Sequence, residues 1–152
     1  LEGDETVYDL YSGTGTIGLL LAPYALTVWG IEVSEESVAC AIENATLNEV
    51  LNTAYFAGDV AQSLQELVPR SGHPDVVVID PPRSGLTKKA LAGVAELGAQ
   101  RIVYVSCNPT TLAPNLKDLG REYGYEVERV RPVDMFPHTP HIELVTSLVK
   151  SS

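Results

Sequence analysis

A chain of 152 residues with 45% hydrophobic content is sized for one globular domain whose core removes most of its apolar surface from water. It carries no apolar run of membrane-spanning length, which sets aside a helical membrane protein. A formal net charge of −10 argues against nucleic-acid binding through overall charge, although Arg83, Lys88 and Lys89 fall together and could form a positive rim on an acidic body.

In chain order, Val7 to Tyr11 reads as a strand, followed by Ser12-Gly13-Thr14-Gly15-Thr16-Ile17-Gly18 and a helical Leu19 to Ala22. Strand, glycine loop and helix form the arrangement in which backbone at Gly13 and Gly15 can approach a nucleotide-like ligand closely. The next strand, Leu26 to Val33, carries Glu32 near its carboxyl end, where an acid can accept both hydroxyls of a ribose. NAD and S-adenosylmethionine (AdoMet) sites share these two features, which leaves the choice between them open. Ser34 caps a helix with Glu35 and Glu36 in its first turn, and Val38, Ile42 and Ala45 are expected on its buried face, with Cys40 as packing. Thr53 to Ala57 is a third strand. Asp59 follows it, placed either to accept an adenine amino group or to cap the helix running from Val60 to Val68.

Asp75 to Ile79 is the most apolar strand, and it delivers Asp80-Pro81-Pro82-Arg83. Two prolines in succession forbid further strand pairing and make a rigid, polar ledge on which a planar base could sit. Thr87 starts a helix with Leu91, Val94 and Ala95 inward, and Gly98 ends it. Ile102 to Val105 is a buried strand leading to Ser106-Cys107-Asn108-Pro109, and a helix with Leu112, Leu116 and Leu119 on one face follows. Asn108 suits an N-cap and Pro109 a first helical residue, so Cys107 falls where a strand stops and a helix begins. Ligands of open α/β sheets bind at that end of the strands, and a helix N-terminus favours thiolate over thiol. Cys107 therefore reads as a nucleophile. Two further strands, Tyr125 to Val130 and Ile142 to Val149, are joined without a helix and should pair antiparallel. The count is seven strands with helices between the first six: an α/β fold with a mostly parallel sheet and an antiparallel C-terminal hairpin.

Glu143 falls at the start of an apolar strand, a suitable setting for a general base. His138, His141 and Glu143 match no closed zinc spacing, so no metal is expected. Two cysteines, Cys40 and Cys107, make no disulfide framework, and with no signal peptide the setting is read as reducing and cytoplasmic. The chain begins at Leu1 and its one methionine is Met135, so it is expected to be a piece of a longer protein.

Taken jointly and in order, DLYSGTGTIG, GIEVSEESV, DPPRSGL, VYVSCNP and DMFPHTPHIE resemble the catalytic domain of the RNA uracil-5-methyltransferases over essentially all of residues 1–152. That resemblance implies a Rossmann-like class I AdoMet-dependent fold and methylation of carbon 5 of a uridine, through thiolate addition to carbon 6. It puts Tyr11 and Thr16 in the cofactor loop, Glu32 at the ribose, Asp59 near the adenine and Asp80 between cofactor and target base. Cys107 matches the family nucleophile and Glu143 the general base, while Arg83 would hold a phosphate or orient the Asp80 loop. DMFPHT is closer to the 23S rRNA members than to the tRNA members, so ribosomal RNA is the expected partner and no stable protein partner is expected. The family's N-terminal RNA-binding barrel, its central domain and the iron–sulfur cluster of some members would lie outside these residues, as would a glutamine that touches the cofactor. Three other readings remain: an amino-group methyltransferase using Asp-Pro-Pro, an NAD-linked dehydrogenase, and a non-catalytic AdoMet-binding module. Arg83 stands where the amino-group enzymes usually carry an aromatic residue.

Overall fold

The computed structural model describes residues 1–151. Its strands are β1 (Thr6–Leu10), β2 (Thr27–Glu32), β3 (Thr53–Ala57), β4 (Val76–Ile79), β5 (Arg101–Ser106), β6 (Tyr125–Val133) and β7 (Glu143–Lys150). The α-helices between them are α1 (Thr16–Leu21), α2 (Glu35–Leu47), α3 (Val60–Ser71), α4 (Lys88–Glu96) and α5 (Pro109–Tyr123). One sheet runs in the order β3-β2-β1-β4-β5-β7-β6. The first five strands pair in parallel, whereas β7 pairs antiparallel with both β5 and β6. The strand order reverses direction between β1 and β4, and the loops after those strands open the crevice in which such sheets take ligands.

Each of β1 and β4 is buried along almost its whole length, as strands in the middle of a covered parallel sheet must be. The main core forms where α3, α4 and α5 lay Leu64, Leu67, Leu91, Val94, Leu112 and Leu119 on the sheet. Caps begin these helices as the residue types require. Ser34 Oγ accepts from the Ser37 N–H, Thr87 Oγ1 from the Ala90 N–H, and Asn108 Oδ1 from the Thr110 N–H.

Several details differ from the sequence reading, among them helix α3, which runs past Val68 through Pro69 to Ser71. Helix α2 buries Val38, Ala41 and Ala45, while Ile42 is 51% exposed. The small Ala41 lets the helix approach the glycine loop closely, where a Cβ on Gly15 would stand 3.0 Å from the Ala41 Cβ. Strand β2 is shorter than expected because Leu26 and Val33 are both exposed. Strand β6 runs on to Val133 through Pro132. It is an edge strand, and an edge tolerates a residue with no N–H to donate.

Candidate active site

The carboxyl end of the parallel strands collects the loops that follow β1, β2, β3, β4 and β5, and with them most of the residues singled out above. Tyr11 leaves β1 with φ 63, a left-handed conformation uncommon for a residue bearing a side chain, and starts the glycine loop. The loop is held from below. Asp9, fully buried in β1, accepts the Gly18 N–H at 2.9 Å. Burial pushes the Asp9 carboxyl up to about 7; the Gly18 hydrogen bond opposes the rise and the negative Asp80 adds to it. Gly15 has φ 83, and a Cβ there would meet the Tyr55 hydroxyl at 2.7 Å, so both its torsion and its space demand glycine. Glu32 closes the loop from the β2 side: its two carboxylate oxygens accept the Gly13 N–H at 3.1 Å and the Ser34 N–H at 3.0 Å. Each oxygen keeps a lone pair for a further donor.

Thr16 is exposed as the first residue of α1, and Asp59 is exposed at the N-cap of α3. The Asp59 side chain makes no capping hydrogen bond, so the capping alternative is not the one realised. The pKa of half-buried Tyr11 is raised, first by burial and then by the negative charge of Asp59. Two buried polar atoms in this region have no partner, Asp9 Oδ1 and Ser12 Oγ. Buried polar groups are normally satisfied, so a site with two unpaired oxygens beneath a glycine loop is a site suited to a polar ligand.

Asp80 donates its N–H to the Leu10 carbonyl at 3.2 Å, which fixes the Asp-Pro-Pro loop beside the start of the glycine loop. Its carboxyl is raised, first by the protein crowding around it and then by the negative charge of Glu143. The remaining residues meet through the antiparallel β7. Its register against β5 ends with Ser106 opposite Leu144. Cys107 and Glu143 each lie one residue beyond that last pair, Cys107 in the bend that leaves β5 and Glu143 as the first residue of β7. Both line a cavity of about 290 Å³ with Arg83, Phe136 and His141, and an adjoining one of about 410 Å³ with Asp80 and Met135.

Arg83 links these segments. Its carbonyl accepts from Asn108 Nδ2 and Thr111 Oγ1, each at 3.1 Å, and its guanidinium Nη2 lies 3.2 Å from His141 Nδ1. The loop's far end is held by Asn115, whose Oδ1 accepts both the Leu86 N–H and the Tyr104 hydroxyl. Burial pushes that hydroxyl up to about 12, which keeps it a donor.

Every residue read as a site residue thus lies at this end of the sheet, in two neighbouring groups on either side of Asp80. The sequence reading missed Asp9, Ser12, Tyr55 and the cavity wall of Met135 and Phe136. Asp9 had a signal, an acid inside an otherwise apolar strand. Tyr55 had none, because its contact with Gly15 spans 40 positions. Among the described residues no group of three His, Cys, Asp or Glu side chains could hold a metal, and no helix is long and apolar enough to cross a membrane.

Comparison with known proteins bears on this arrangement. The chain is 49% identical over 148 residues to a protein of Caldanaerobacter subterraneus named an uncharacterized RNA methyltransferase, covering 97% of this chain and 32% of that one. A Clostridium tetani protein of the same name is 51% identical over 144 residues, with 95% and 31% covered. The chain therefore spans about a third of the length of these curated relatives. Among solved structures, the Pyrococcus abyssi tRNA (uracil-54, C5)-methyltransferase in complex with S-adenosyl-L-homocysteine superposes with a TM-score of 0.83 at 34% identity, over 98% of this chain and 35% of that one. A precorrin-6y C5,15-methyltransferase from Geobacter metallireducens matches at TM-score 0.80 and 15% identity, over 99% and 82% of the two chains, a likeness of fold alone. The fold is that of the Rossmann-like class I AdoMet-dependent methyltransferases. The model of the tRNA (uracil-5-)-methyltransferase family matches residues 2–151, and the chain belongs to that family.

Proposed function

We propose that residues 1–152 form the catalytic domain of an AdoMet-dependent RNA methyltransferase that acts on carbon 5 of a uridine. The observation that carries this reading is that Cys107, just past β5, and Glu143, at the start of β7, line one cavity beside the Asp80 loop. Neither amino-group methylation nor passive cofactor binding gives a cysteine and a glutamate lining one cavity a task.

AdoMet suits the other half of the site. Glu32 retains lone pairs for ribose hydroxyls, uncapped Asp59 suits an adenine amino group, and the Gly13 to Thr16 backbone would run beneath the methionine part. The unpaired Asp9 Oδ1 and Ser12 Oγ are oxygens that a polar ligand or its water would satisfy. When bound, the cofactor supplies a methyl group on sulfonium sulfur.

The protein's own part is to make carbon 5 nucleophilic and then to restore the ring. The Cys107 thiolate adds to carbon 6, and the displaced π pair makes carbon 5 electron-rich. Once carbon 5 carries the methyl group, Glu143 removes the remaining carbon 5 proton, the ring double bond reforms and the cysteine leaves. The uridine must be single-stranded or flipped out to enter the cavity.

DMFPHT at residues 134–139 leans toward ribosomal RNA as substrate, whereas the archaeal neighbour is described as acting on tRNA. Incubating the complete natural polypeptide with labelled AdoMet and unmodified 23S rRNA or tRNA, followed by nucleoside analysis, tests both points. Label is expected in 5-methyluridine from ribosomal RNA. Label in an N-methylated base would support the amino-group alternative, and label in tRNA alone would reassign the substrate.

A further inference from the structure

Thiolate addition to carbon 6 of uracil drives the carbon 5–carbon 6 π pair toward the neighbouring carbonyl, so negative charge collects on oxygen 4. Donors aimed at the atom where charge develops lower such barriers strongly. Apart from Cys107 and an apolar wall, the side chains lining the two cavities divide into two acceptors, Asp80 and Glu143, and two N–H donors, Arg83 and His141.

The two donors touch each other, Arg83 Nη2 to His141 Nδ1 at 3.2 Å. A guanidinium is permanently protonated and only donates, so Nδ1 is the acceptor in this contact. A neutral imidazole that accepts at Nδ1 carries its proton on Nε2, and Nε2 is then a donor. Both partners are anchored by other contacts. The His141 N–H donates to Thr139 Oγ1 at 3.2 Å, and that hydroxyl donates to the Phe136 carbonyl at 2.7 Å. Arg83 is tied through its carbonyl to the start of α5, the helix that follows Cys107. A residue two positions before Glu143 is thus held in one tautomer by a residue bound to the Cys107 segment.

We propose that His141 donates its Nε2–H to oxygen 4 of the target uracil, with Arg83 as the positioning residue that sets the tautomer. The inference rests on the carbon 5 reading above and supplies the one group that reading lacked. The sulfur–carbon 6 bond forms as the ring π pair moves onto the C4 carbonyl. After substitution at carbon 5, its proton passes to Glu143, the π pair returns and the carbon–sulfur bond breaks to release the thiolate. His141 keeps its proton throughout, contributing a hydrogen bond and no proton transfer.

Exchange of the uridine carbon 5 hydrogen with solvent reads the addition step without any methyl donor. In the complete polypeptide acting on RNA tritiated at uridine carbon 5, His141→Ala is expected to slow both tritium release and methylation by about 100-fold. AdoMet affinity is expected to stay unchanged. His141→Gln, whose amide can accept from Arg83 and still donate, is expected to recover to within about tenfold of wild type. RNA bearing 4-thiouridine at the target separates a direct contact from a structural one, because sulfur accepts hydrogen bonds poorly. The wild type is expected to lose rate on that RNA and His141→Ala to lose none. Retention of tritium release within about threefold in His141→Ala, or an equal 4-thiouridine penalty in both proteins, overturns the inference while leaving the carbon 5 reading intact. A wild-type enzyme that releases no tritium and forms no 5-methyluridine removes both.

Discussion

The glycine loop and the loop from Asp134 to Ile142 flank the same crevice and are built in opposite ways. Backbone groups of the first are tied into the fold: Gly13 and Gly18 donate to Glu32 and Asp9, and Tyr55 fills the space that a side chain on Gly15 would need. The second is exposed from Asp134 to His141, and its side-chain hydrogen bonds run through Thr139 and the Arg83–His141 contact. A loop already ordered has little conformational entropy left to lose, which suits a small ligand that must be gripped on all sides. A loop presenting Met135 and Phe136 to solvent has apolar surface still to bury, which suits a large partner entering from outside. The glycine-loop side is prepared by the fold, and the opposite side keeps apolar surface for a partner to cover.

That contrast predicts that chemistry and cofactor binding can be separated by mutation, and the largest effect should come from the substrate side. Cys107→Ala in the complete polypeptide is expected to lower methylation by at least roughly four orders of magnitude. AdoMet affinity by calorimetry should change less than about twofold. A matching loss of AdoMet binding would show the two loops to be one unit. Glu143→Gln is expected to slow turnover by about 100- to 10,000-fold and to leave RNA covalently attached, visible as a retarded band on a denaturing gel. Turnover lost without such a band would move the proton-accepting role away from Glu143.

The cofactor side should be visible in stability and its pH dependence. The Asp9 carboxyl is raised from 3.8 to about 7 in the fold, so the native state binds a proton that the unfolded chain releases. Stability therefore falls as pH rises from about 4 to about 7 and is then level, with a cost of at most roughly 4 kcal/mol from this group. Asp9→Asn keeps an acceptor for the Gly18 N–H and is expected to flatten that slope in urea titrations. Parallel slopes in the two proteins would remove Asp9 as the cause. Gly15→Ala should cost about 2 kcal/mol, from a left-handed backbone and a clash with Tyr55, and should weaken AdoMet binding with it. Cys107→Ala, by contrast, leaves those terms untouched.

Local order was legible in the sequence wherever one segment carried its own signal. Ser34, Thr87 and Asn108 cap as their residue types dictate, and the seven strands lie close to where β-branched runs put them. Cys107, Asp80 and Glu32 could be placed at strand ends before any contact was known. What could not be read were contacts set by strand order. Nothing within residues 125–150 reveals that β7 inserts between β5 and β6, yet that insertion is what brings Glu143 to the cavity that Cys107 lines. The Arg83–His141 contact bridges 58 positions and depends on the same insertion. Ile42 was misplaced because helical periodicity marks an apolar stripe without saying how narrow the neighbouring surface is.

The smallest effect tests the contrast most closely. Asn108 and Thr87 both cap helices, and loss of either cap is expected to cost about 1 kcal/mol. Asn108 has a second task, since its Nδ2 donates to the Arg83 carbonyl and so joins the Cys107 segment to the Asp-Pro-Pro-Arg loop. Thr87→Ala should therefore lower stability and leave kcat alone. Asn108→Ala should lower stability by a similar amount and also lower kcat by about tenfold, because a displaced Arg83 loosens the wall facing Cys107. Asn108→Ser restores a capping oxygen without the amide that reaches Arg83, and it should recover the stability while kcat stays low. If stability and kcat return together in Asn108→Ser, the tie between the two loops is incidental to the chemistry, and the substrate side needs no such bracing.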